Sequence, residues 1–280
     1  MKKALIVINT NKEASVLLSH KISSFLEERG ISVSLLNFEG INIDYSFKGF
    51  DFVITLGGDG TVLYAARNAV EYDIPVFPVN FGQFGFIASV QPIEWKESLQ
   101  SFLDGKAPVE ERFMVNVEVK RGKKVVYSAL GLNDVVISAK RGATTISLDI
   151  EYDDLPLCKL NADGAIVSTS TGSTAYSAAA GGPIVDPRLS ALVLTPMNSF
   201  SLSSRPIVLS PNGVLGISIE PGRTKEITMT VDGQETVCLQ LNDKVFIKRN
   251  AKKIKLVYCT EEKFYNALRS KLNWSGGPCA

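Results

Sequence analysis

The 280-residue sequence predicts an α/β N-terminal domain, a β-rich second domain of antiparallel, sandwich-like strands, and a closing C-terminal helix. Up to about residue 105, short apolar strands alternate with amphipathic helices, a pattern typical of a parallel sheet. From residue 109 to residue 258, short strands follow one another with only turn residues between them. We therefore predict one domain over residues 1–105, to which residues 259–280 return, and a second over residues 106–258.

The strand and helix signals of the first domain come in regular alternation. The predicted strands are Ala4–Ile8, Ile31–Leu36, Phe52–Leu56 and Pro75–Val79, and the predicted helices are Ala14–Glu28, a helix after Gly60, and Pro92–Leu103. Alternation of this kind implies a Rossmann-like sheet, whose ligand binds at the carboxyl ends of the strands.

The most informative stretch of this domain is a glycine turn between a strand and a helix. Its five residues are Gly57, Gly58, Asp59, Gly60 and Thr61. Glycines allow a tight turn and a close ligand, and the N–H groups of a helix start favour a phosphate. A carboxylate here would repel phosphate unless a metal ion intervenes or the acid takes part in the chemistry, so Asp59 is the candidate catalytic residue. The alternative is that Asp59 only caps the helix.

A second turn, over residues 80–86, ends the next predicted strand and carries Phe81 and Gly82. Because both turns follow strands of one parallel sheet, we expect them to face the same crevice.

Composition limits the classes of function that the sequence allows. Thirty basic and 29 acidic residues leave a net charge of +1, which argues against a protein that coats nucleic acid. The four cysteines lie far apart, and His20 is the only histidine, so a zinc site or disulfide framework is not expected. No apolar segment approaches the roughly 18 residues of a membrane span. We expect a soluble, cytoplasmic protein with no membrane or nucleic-acid partner.

The second domain is predicted from short alternating segments. They are Met114–Val119, Lys124–Ala129, Val135–Ser138, Ile146–Tyr152, Ala165–Val167, Val214–Ile219, Ile227–Val231, Val237–Leu241, Val245–Lys248 and Ile254–Val257, and a helix over Glu261–Leu272 follows them.

Three polar stretches interrupt this pattern. Asn133 and Asp134 precede a strand, where an ordinary turn is the simplest interpretation. Residues 161–185 combine a strand, many small hydroxyl residues and an alanine-rich helix, which form either a hydrogen-bonding platform for a polar ligand or a tight junction. Asp232–Gln234 is consistent with a hairpin turn.

Together these motifs resemble a known family. The sequence GGDGT is similar to the phosphate loop of a kinase superfamily that contains NAD kinases, diacylglycerol and sphingosine kinases and 6-phosphofructokinases. The segments LND, TGSTAY, GGPI, SRPIVL and VDGQ follow in that order, and this combination resembles the NAD kinases. The resemblance covers most of the chain.

The resemblance implies transfer of the γ-phosphoryl group of ATP to the 2′-hydroxyl of the adenosine ribose of NAD, with Mg²⁺ or another divalent cation offsetting the phosphate charge. Asp59 matches the catalytic acid, and no metal ion is expected to bind the protein directly. The positions that match nucleotide-binding residues are Gly57, Gly58, Gly60, Thr61, Phe81, Gly82, Asn133, Asp134, Asp163, Thr171, Thr174, Ala175, Tyr176, Asp232 and Gln234. The family further suggests a homodimer or homotetramer.

Several residues depart from the family pattern. Asp134 stands where glutamate is more frequent, Ser170 where proline is usual, Ala179 where serine is frequent, and Phe200 where histidine often occurs. Phe84 replaces a common leucine.

Three alternatives remain open at this stage. A lipid kinase would share GGDGT but lack the TGSTAY and GGPI segments. A non-enzymatic NAD sensor would need the second-domain residues but not Asp59. A dehydrogenase is disfavoured because no GxGxxG opens the first βα unit. The donor, whether ATP, another triphosphate or polyphosphate, stays open as well.

Overall fold

The computed structural model describes residues 1–41, 43–82, 85–140, 144–201, 203–224 and 226–272. The chain forms two compact units. The first comprises Met1–Arg112 and the chain from Lys252 onward, and the second comprises Phe113–Ala251.

The first unit contains a parallel sheet, as the alternation predicts. Its strands run in the order β2-β1-β3-β4, and each neighbouring pair is parallel. The elements are β1 (Lys3–Asn9), α1 (Glu13–Glu27), β2 (Ser32–Phe38), β3 (Phe52–Gly57), α2 (Asp59–Ala69), β4 (Val76–Asn80) and α3 (Trp95–Leu103). Helix α3 begins at Trp95 rather than at the predicted Pro92, since residues 92–94 form turns.

Aromatic side chains fix the helices α1 and α3 against this sheet. The rings of Phe25 on α1 and Trp95 on α3 meet edge to face at 5.4 Å, and Phe52 on β3 meets Phe102 on α3 at the same separation. All six residues of β3 are buried. Strand β3 is therefore a rigid support for the glycine turn that follows it.

The second unit is β-rich, and its strand pairs are antiparallel, as predicted. Residues from β5 and β16 belong to both units. The elements are β5 (Val109–Arg121), β6 (Lys124–Gly131), β7 (Asp134–Ala139), β8 (Ile146–Tyr152), β9 (Leu155–Ala162), β10 (Gly164–Thr169), α4 (Tyr176–Ala179), β11 (Leu192–Met197), β12 (Ile207–Leu209), β13 (Leu215–Glu220), β14 (Ile227–Val231), β15 (Glu235–Leu239) and β16 (Asp243–Val257).

The strands of this unit enclose a hydrophobic core. One sheet has the order β12-β11-β10-β7-β14-β15, and the strands β16-β13-β8-β9, with β5 and β6, supply the other face. Ile137 and Val167 of the first sheet share a buried cluster with Ile150 and Ile217 of the second. This arrangement confirms the predicted sandwich-like domain.

Two predicted elements of this unit are wrong in extent. The segments Val245–Lys248 and Ile254–Val257 are not separate strands but parts of the 15-residue strand β16. The alanine-rich helix is reduced to the four residues of α4, preceded by a 3₁₀ turn over Thr171–Thr174.

The C-terminal helix α5 (Glu261–Lys271) belongs to the first unit. Its N-cap is Thr260, whose hydroxyl accepts the Lys263 N–H at 3.4 Å. Phe264 is buried, and its ring lies 6.1 Å from that of Phe86. The predicted tail after residue 274 lies outside the described residues. No helix in the described part of the chain combines the length and apolarity that a bilayer crossing requires.

Candidate active site

Asp59 is the first residue of α2, and its carboxylate binds three successive backbone N–H groups. Oδ2 accepts the N–H of Phe86 at 2.7 Å, and Oδ1 accepts those of Ile87 and Ala88 at 3.3 and 2.9 Å. These donors follow the second predicted turn, so the two turns lie together as expected. Asp59 is held by main-chain atoms 27–29 residues further along the chain.

This arrangement leaves Asp59 with capacity for a further partner. A carboxylate offers about four acceptor positions, two on each oxygen. Within the described part of the chain, both positions of Oδ1 and one of Oδ2 are used. The side chain is only half-buried. One lone pair of Oδ2 can therefore accept a hydrogen bond from a substrate hydroxyl.

At two positions around Asp59, close contacts leave no room for any residue other than glycine. A β-carbon at position 85 would lie 2.6 Å from Asp59 Oδ1, and one at position 57 would overlap the Thr61 hydroxyl. At Gly58, by contrast, the nearest atom to an added β-carbon would be 3.8 Å away. Gly58 is thus not required by packing within the fold, and the open space beside it is available to a ligand.

The second turn is tied to the glycine turn by main-chain bonds. The Phe81 N–H donates to Gly57 O at 2.7 Å, and Asn80 Oδ1 accepts the Gly82 N–H at 2.7 Å. Lys12, just before α1, donates its ammonium group to Phe81 O at 2.5 Å. Phe81 and Gly82 therefore lie beside Gly57–Thr61, with a positive charge next to them. Gln83 and Phe84 lie outside the described residues.

In the second unit, Asp232 repeats the clamp seen at Asp59. Its carboxylate accepts the N–H groups of Leu132, Asn133 and Asp134 at 2.9, 2.8 and 3.1 Å. Asp232 and Gly233 both have positive φ, so they form the tight hairpin turn between β14 and β15. Asp232 is 6% exposed and its carboxylate binds the backbone of residues 132–134, and its contact with nucleotide stays a prediction.

Asp134 lies in an environment that disfavours its charge. Burial, and then the nearby negative charge of Asp232, raise the pKa of Asp134 to about 7, although a hydrogen bond from the Tyr176 backbone opposes this shift. The asparagine–acid pair matched to the family motif thus includes a carboxyl whose pKa is raised toward neutrality.

Asn133 carries an unused buried acceptor. Its side chain is 8% exposed, and its Oδ1 has no hydrogen-bond partner among the described residues. A buried acceptor without a donor costs about 1–3 kcal/mol, so such an atom is a natural contact for a ligand N–H or O–H group. Gly172 packs closely on the Asn133 backbone. A β-carbon at position 172 would therefore overlap the Asn133 carbonyl oxygen.

The hydroxyl-rich segment divides into two sets. The serines face inward. Ser173 donates to Ser170 O at 2.7 Å, Ser177 bonds to Thr195 at 2.9 Å, and Ser170 donates to Leu189 O. For these residues the tight-junction interpretation is correct. Thr171, Thr174, Ala175 and Tyr176, the four residues matched to nucleotide-binding positions, are partly or fully exposed.

Asp163 is not brought together with this cluster. It precedes β10, whereas Asn133 and Thr171 lie at the other end of that strand. Six residues of strand correspond to about 20 Å at roughly 3.3 Å per residue. The Asp163 carboxylate instead accepts the Asn198 side-chain amide at 3.1 Å.

The departures from the family pattern are accommodated without loss of packing. Ser170 accepts the Ala191 N–H at 3.1 Å in addition to its bond to Leu189 O. Ala179 is exposed, and Phe200 is 88% exposed. None of these three residues contacts Asp59 or Asn133 through the hydrogen bonds that the structure shows.

The protein groups do not by themselves form a metal centre. Among the described residues, no group of three or more His, Cys, Asp or Glu side chains lies close enough to hold a metal ion. Asp59, the acid within the glycine turn, has three of its acceptor positions occupied by N–H groups.

The fold and the two glycine-containing turns define a two-domain protein whose α/β unit carries a glycine-rich loop of the kind that binds phosphate. The family profile described as ATP-NAD kinase N-terminal domain matches residues 42–107, and that described as ATP-NAD kinase C-terminal domain matches residues 132–259. An NAD kinase of Treponema denticola is 45% identical over 277 residues, which cover 99% of this chain and 98% of that protein.

Solved structures share the fold. A yeast NADH kinase in complex with NADH superposes with a TM-score of 0.88 at 22% identity, covering 100% of this chain and 89% of the other. An Archaeoglobus fulgidus NAD kinase in complex with ATP gives a TM-score of 0.76 at 24% identity, covering 95% and 96%. The chain belongs to the NAD kinase family.

Proposed function

We propose that this chain is an NAD kinase, which transfers the γ-phosphoryl group of ATP to the 2′-hydroxyl of the adenosine ribose of NAD and so forms NADP. Membership of the family supports the reaction. The observation that carries it in this chain is the placement of Asp59 at the start of α2, beside the open space at Gly58 and with one acceptor position left on Oδ2.

Asp59 acts on the accepting hydroxyl in this proposal. Its remaining lone pair binds the 2′-hydroxyl and takes the proton as the oxygen bonds to phosphorus. Phosphoryl transfer has a loose transition state, so the main contribution of the protein is to hold the reactants in line. The three N–H bonds fix the carboxylate without using its last acceptor position.

The donor phosphates bind at Gly57–Thr61 in this proposal. The start of α2 offers unpaired N–H groups and the positive end of the helix dipole. Gly58 leaves room for a phosphate oxygen, and the Lys12 ammonium lies beside the neighbouring turn. A divalent cation bound to the nucleotide would offset the charge of the phosphates.

NAD is held by the cluster in the second unit. The unpaired Oδ1 of Asn133 supports this assignment, since a hydroxyl or amide N–H of the dinucleotide would satisfy it. Tyr176 is 47% exposed and lies next to Asp134 through its backbone N–H, so its ring is available to an adenine or nicotinamide ring.

The resemblance to the family suggests an assembly of more than one copy of the chain. Asp163 lies at the end of β10 opposite Asn133, so its contact with NAD stays a prediction. We therefore keep the prediction of a homodimer or homotetramer, to be tested by light scattering of the eluted protein. The cytoplasmic location also stays a prediction.

The experiment that tests the function is an assay of NADP formation. Purified protein is incubated with NAD and Mg²⁺ together with ATP, another triphosphate or polyphosphate, and parallel samples contain NADH in place of NAD. We expect NADP with at least one of these donors. Binding of NAD without NADP and without ADP release would contradict the proposal and favour the sensor alternative.

A further inference from the structure

The three N–H groups that hold Asp59 belong to a short backbone segment, residues 85–88, that is bonded on its other side by the C-terminal part of the first unit. Lys271, the last residue of α5, donates its ammonium group to Gly85 O. Cys259, just before α5, donates its thiol to Ile87 O at 2.9 Å. Both carbonyl partners lie next to a residue whose N–H binds Asp59.

The two bonds act on the same peptide groups that bind the carboxylate. A trans peptide unit joins the C=O of one residue to the N–H of the next, and the two point in opposite directions. Lys271 binds the Gly85 carbonyl of the unit whose Phe86 N–H donates to Oδ2 at 2.7 Å. Cys259 binds the Ile87 carbonyl of the unit whose Ala88 N–H donates to Oδ1 at 2.9 Å. Each Asp59 oxygen thus ends a chain of two hydrogen bonds that runs through one peptide group.

Such chains strengthen their members. A donor on the carbonyl polarises the peptide group and makes its N–H a better donor, and this coupling is larger where water is excluded. Ile87 and Ala88 are buried at 3% and 4% exposure, and Cys259 at 6%. The chain from Cys259 through Ile87 and Ala88 therefore lies largely out of contact with solvent, where this coupling is larger.

The chemical state of Cys259 suits this role. Burial raises the pKa of the Cys259 thiol to about 12, so the sulfur keeps its proton and remains a donor at neutral pH. The charge of Lys271 responds to two opposing effects. Burial lowers the pKa of Lys271, and the negative charge of Asp59 raises it. The effect of Asp59 on the pKa of Lys271 shows, in addition to the bond to Gly85 O, that the ammonium group lies close to the Asp59 carboxylate.

Further bonds fix the C-terminal segment against residues 85–89. Ser89 donates its hydroxyl to Val257 O at 3.3 Å, and Arg112 donates to Cys259 O at 2.6 Å. The ring of Phe86 contacts Phe264 and lies 5.8 Å from the Lys271 ammonium group. The donors that face Gly85 and Ile87 therefore have defined positions.

We infer that Lys271 and Cys259 are positioning residues for Asp59, which fix and polarise the two peptide groups that orient its carboxylate toward the accepting hydroxyl. The inference rests on the proposed function, because it assigns these residues to the reaction in which Asp59 acts. Neither residue touches the substrate in this account, so their loss should slow the chemical step and leave ligand binding in place.

The test compares Lys271→Met with Lys271→Arg and with Lys263→Met. Lys263 is on the same helix, and its ammonium group lies 3.6 Å from Glu94, so Lys263→Met is a matched control for loss of a lysine. We expect Lys271→Met to lower kcat about tenfold, as a small misplacement of a reacting group does, with KM for NAD and for ATP changed less than about twofold. Lys271→Arg keeps a donor and should recover most of the rate, and Lys263→Met should match the wild type.

Cys259 is tested by a pair of variants of similar size. Cys259→Ser keeps a donor, whereas Cys259→Val removes it and keeps the apolar volume. We expect Cys259→Val to have the lower kcat of the two, at thermal stabilities that show both to be folded. Equal kcat values in folded Ser and Val variants would remove Cys259 from the proposal.

Amide hydrogen exchange gives a readout that does not depend on activity. We expect faster exchange at Phe86 in Lys271→Met and at Ala88 in Cys259→Val, with no change in Lys263→Met. If the wild type makes no NADP but these exchange rates change, the proposed function fails and the positioning contacts stand. Unchanged exchange together with a wild-type kcat in Lys271→Met would overturn the inference. A raised KM for ATP with an unchanged kcat would also overturn it, because Lys271 would then bind ATP.

Discussion

At the scale of single residues, two aspartates bind the backbone in the same way with different results. Asp59 and Asp232 each accept three N–H groups from one short segment. Asp59 is half-buried, whereas Asp232 is 6% exposed and closes a hairpin against residues 132–134. The same clamp therefore leaves one carboxylate able to meet a substrate and makes the other a structural support for Asn133.

Asp134 makes the stability of the protein dependent on pH. Its folded-state pKa of about 7 is above the ordinary value of 3.8, chiefly because it is buried. The folded state then holds more protons than the unfolded state between these values, so this residue lowers stability as pH rises from about 4 to about 7. We expect Asp134→Asn to be more stable than the wild type at pH 8, by about 1–3 kcal/mol, and to lose this advantage toward pH 4.

Denaturant unfolding at pH 5, 6, 7 and 8 measures this difference. Asp149→Asn is the control, since Asp149 is a partly exposed acid of the same unit for which no such environment is seen. A stability difference between Asp134→Asn and wild type that is the same at pH 5 and pH 8 would show that Asp134 does not titrate in this range.

At the scale of elements, the β3–turn–α2 unit contains glycines that are required for different reasons. A β-carbon at position 57 would overlap Thr61, whereas for one at position 58 the nearest atom among the described residues would be 3.8 Å away. We expect Gly57→Ala to destabilise the fold by roughly 1–3 kcal/mol through this overlap. Gly58→Ala should keep the wild-type stability but raise KM for ATP, because the new methyl group enters the space proposed for phosphate.

Thermal unfolding and initial-rate kinetics on the two variants separate these effects. Each variant is the control for the other, since both add one methyl group to adjacent positions of one turn. An unchanged KM for ATP in a folded Gly58→Ala protein would argue against phosphate binding at this turn.

The local pattern of apolar and polar residues could predict those strands and helices in which the pattern is strongly periodic. Strands β8 and β14 have the predicted bounds, Ile146–Tyr152 and Ile227–Val231. Strand β9 was not predicted, because most of its residues are exposed and its alternation is weak. Strand β11 contains Pro196, which disfavours a strand, and β12 has only three residues. Strand β16 is continuous, but the polar residues near Asn250 interrupt its apolar pattern. The local pattern therefore predicts two strands in its place.

The candidate site could be predicted only as far as its motifs extend. The motif GGDGT contains Asp59, and the second-domain segment LND contains Asn133. Both residues could be predicted because the composition and order of these motifs are distinctive. The N–H clamps on Asp59 and Asp232 depend on chain contacts that no local pattern contains. Lys271 is separated from Gly85 by 186 residues, and a lysine at a helix end has no distinguishing sequence signal. Sequence reasoning missed Lys271 and Cys259 for this reason.

At the scale of the whole molecule, the chain joins two separately packed units that carry different parts of the proposed reaction. The predicted catalytic residue and phosphate loop belong to the first unit, and the residues assigned to NAD belong to the second, apart from Phe81 and Gly82. Each unit has its own buried core, and each is matched by its own family profile. The reaction proposed above therefore draws on residues of both units.

The rate of NADP formation by the wild type and by Asp59→Asn tests the central claim most directly. The same change at Asp73, an acid of the same unit paired with Lys255 at 2.6 Å, is the control. We expect Asp59→Asn to lose about 10²–10⁴-fold in turnover while NAD still binds, because a general base is removed. Near-normal turnover in Asp59→Asn would contradict the account, since Asp59 would then not accept the proton of the 2′-hydroxyl.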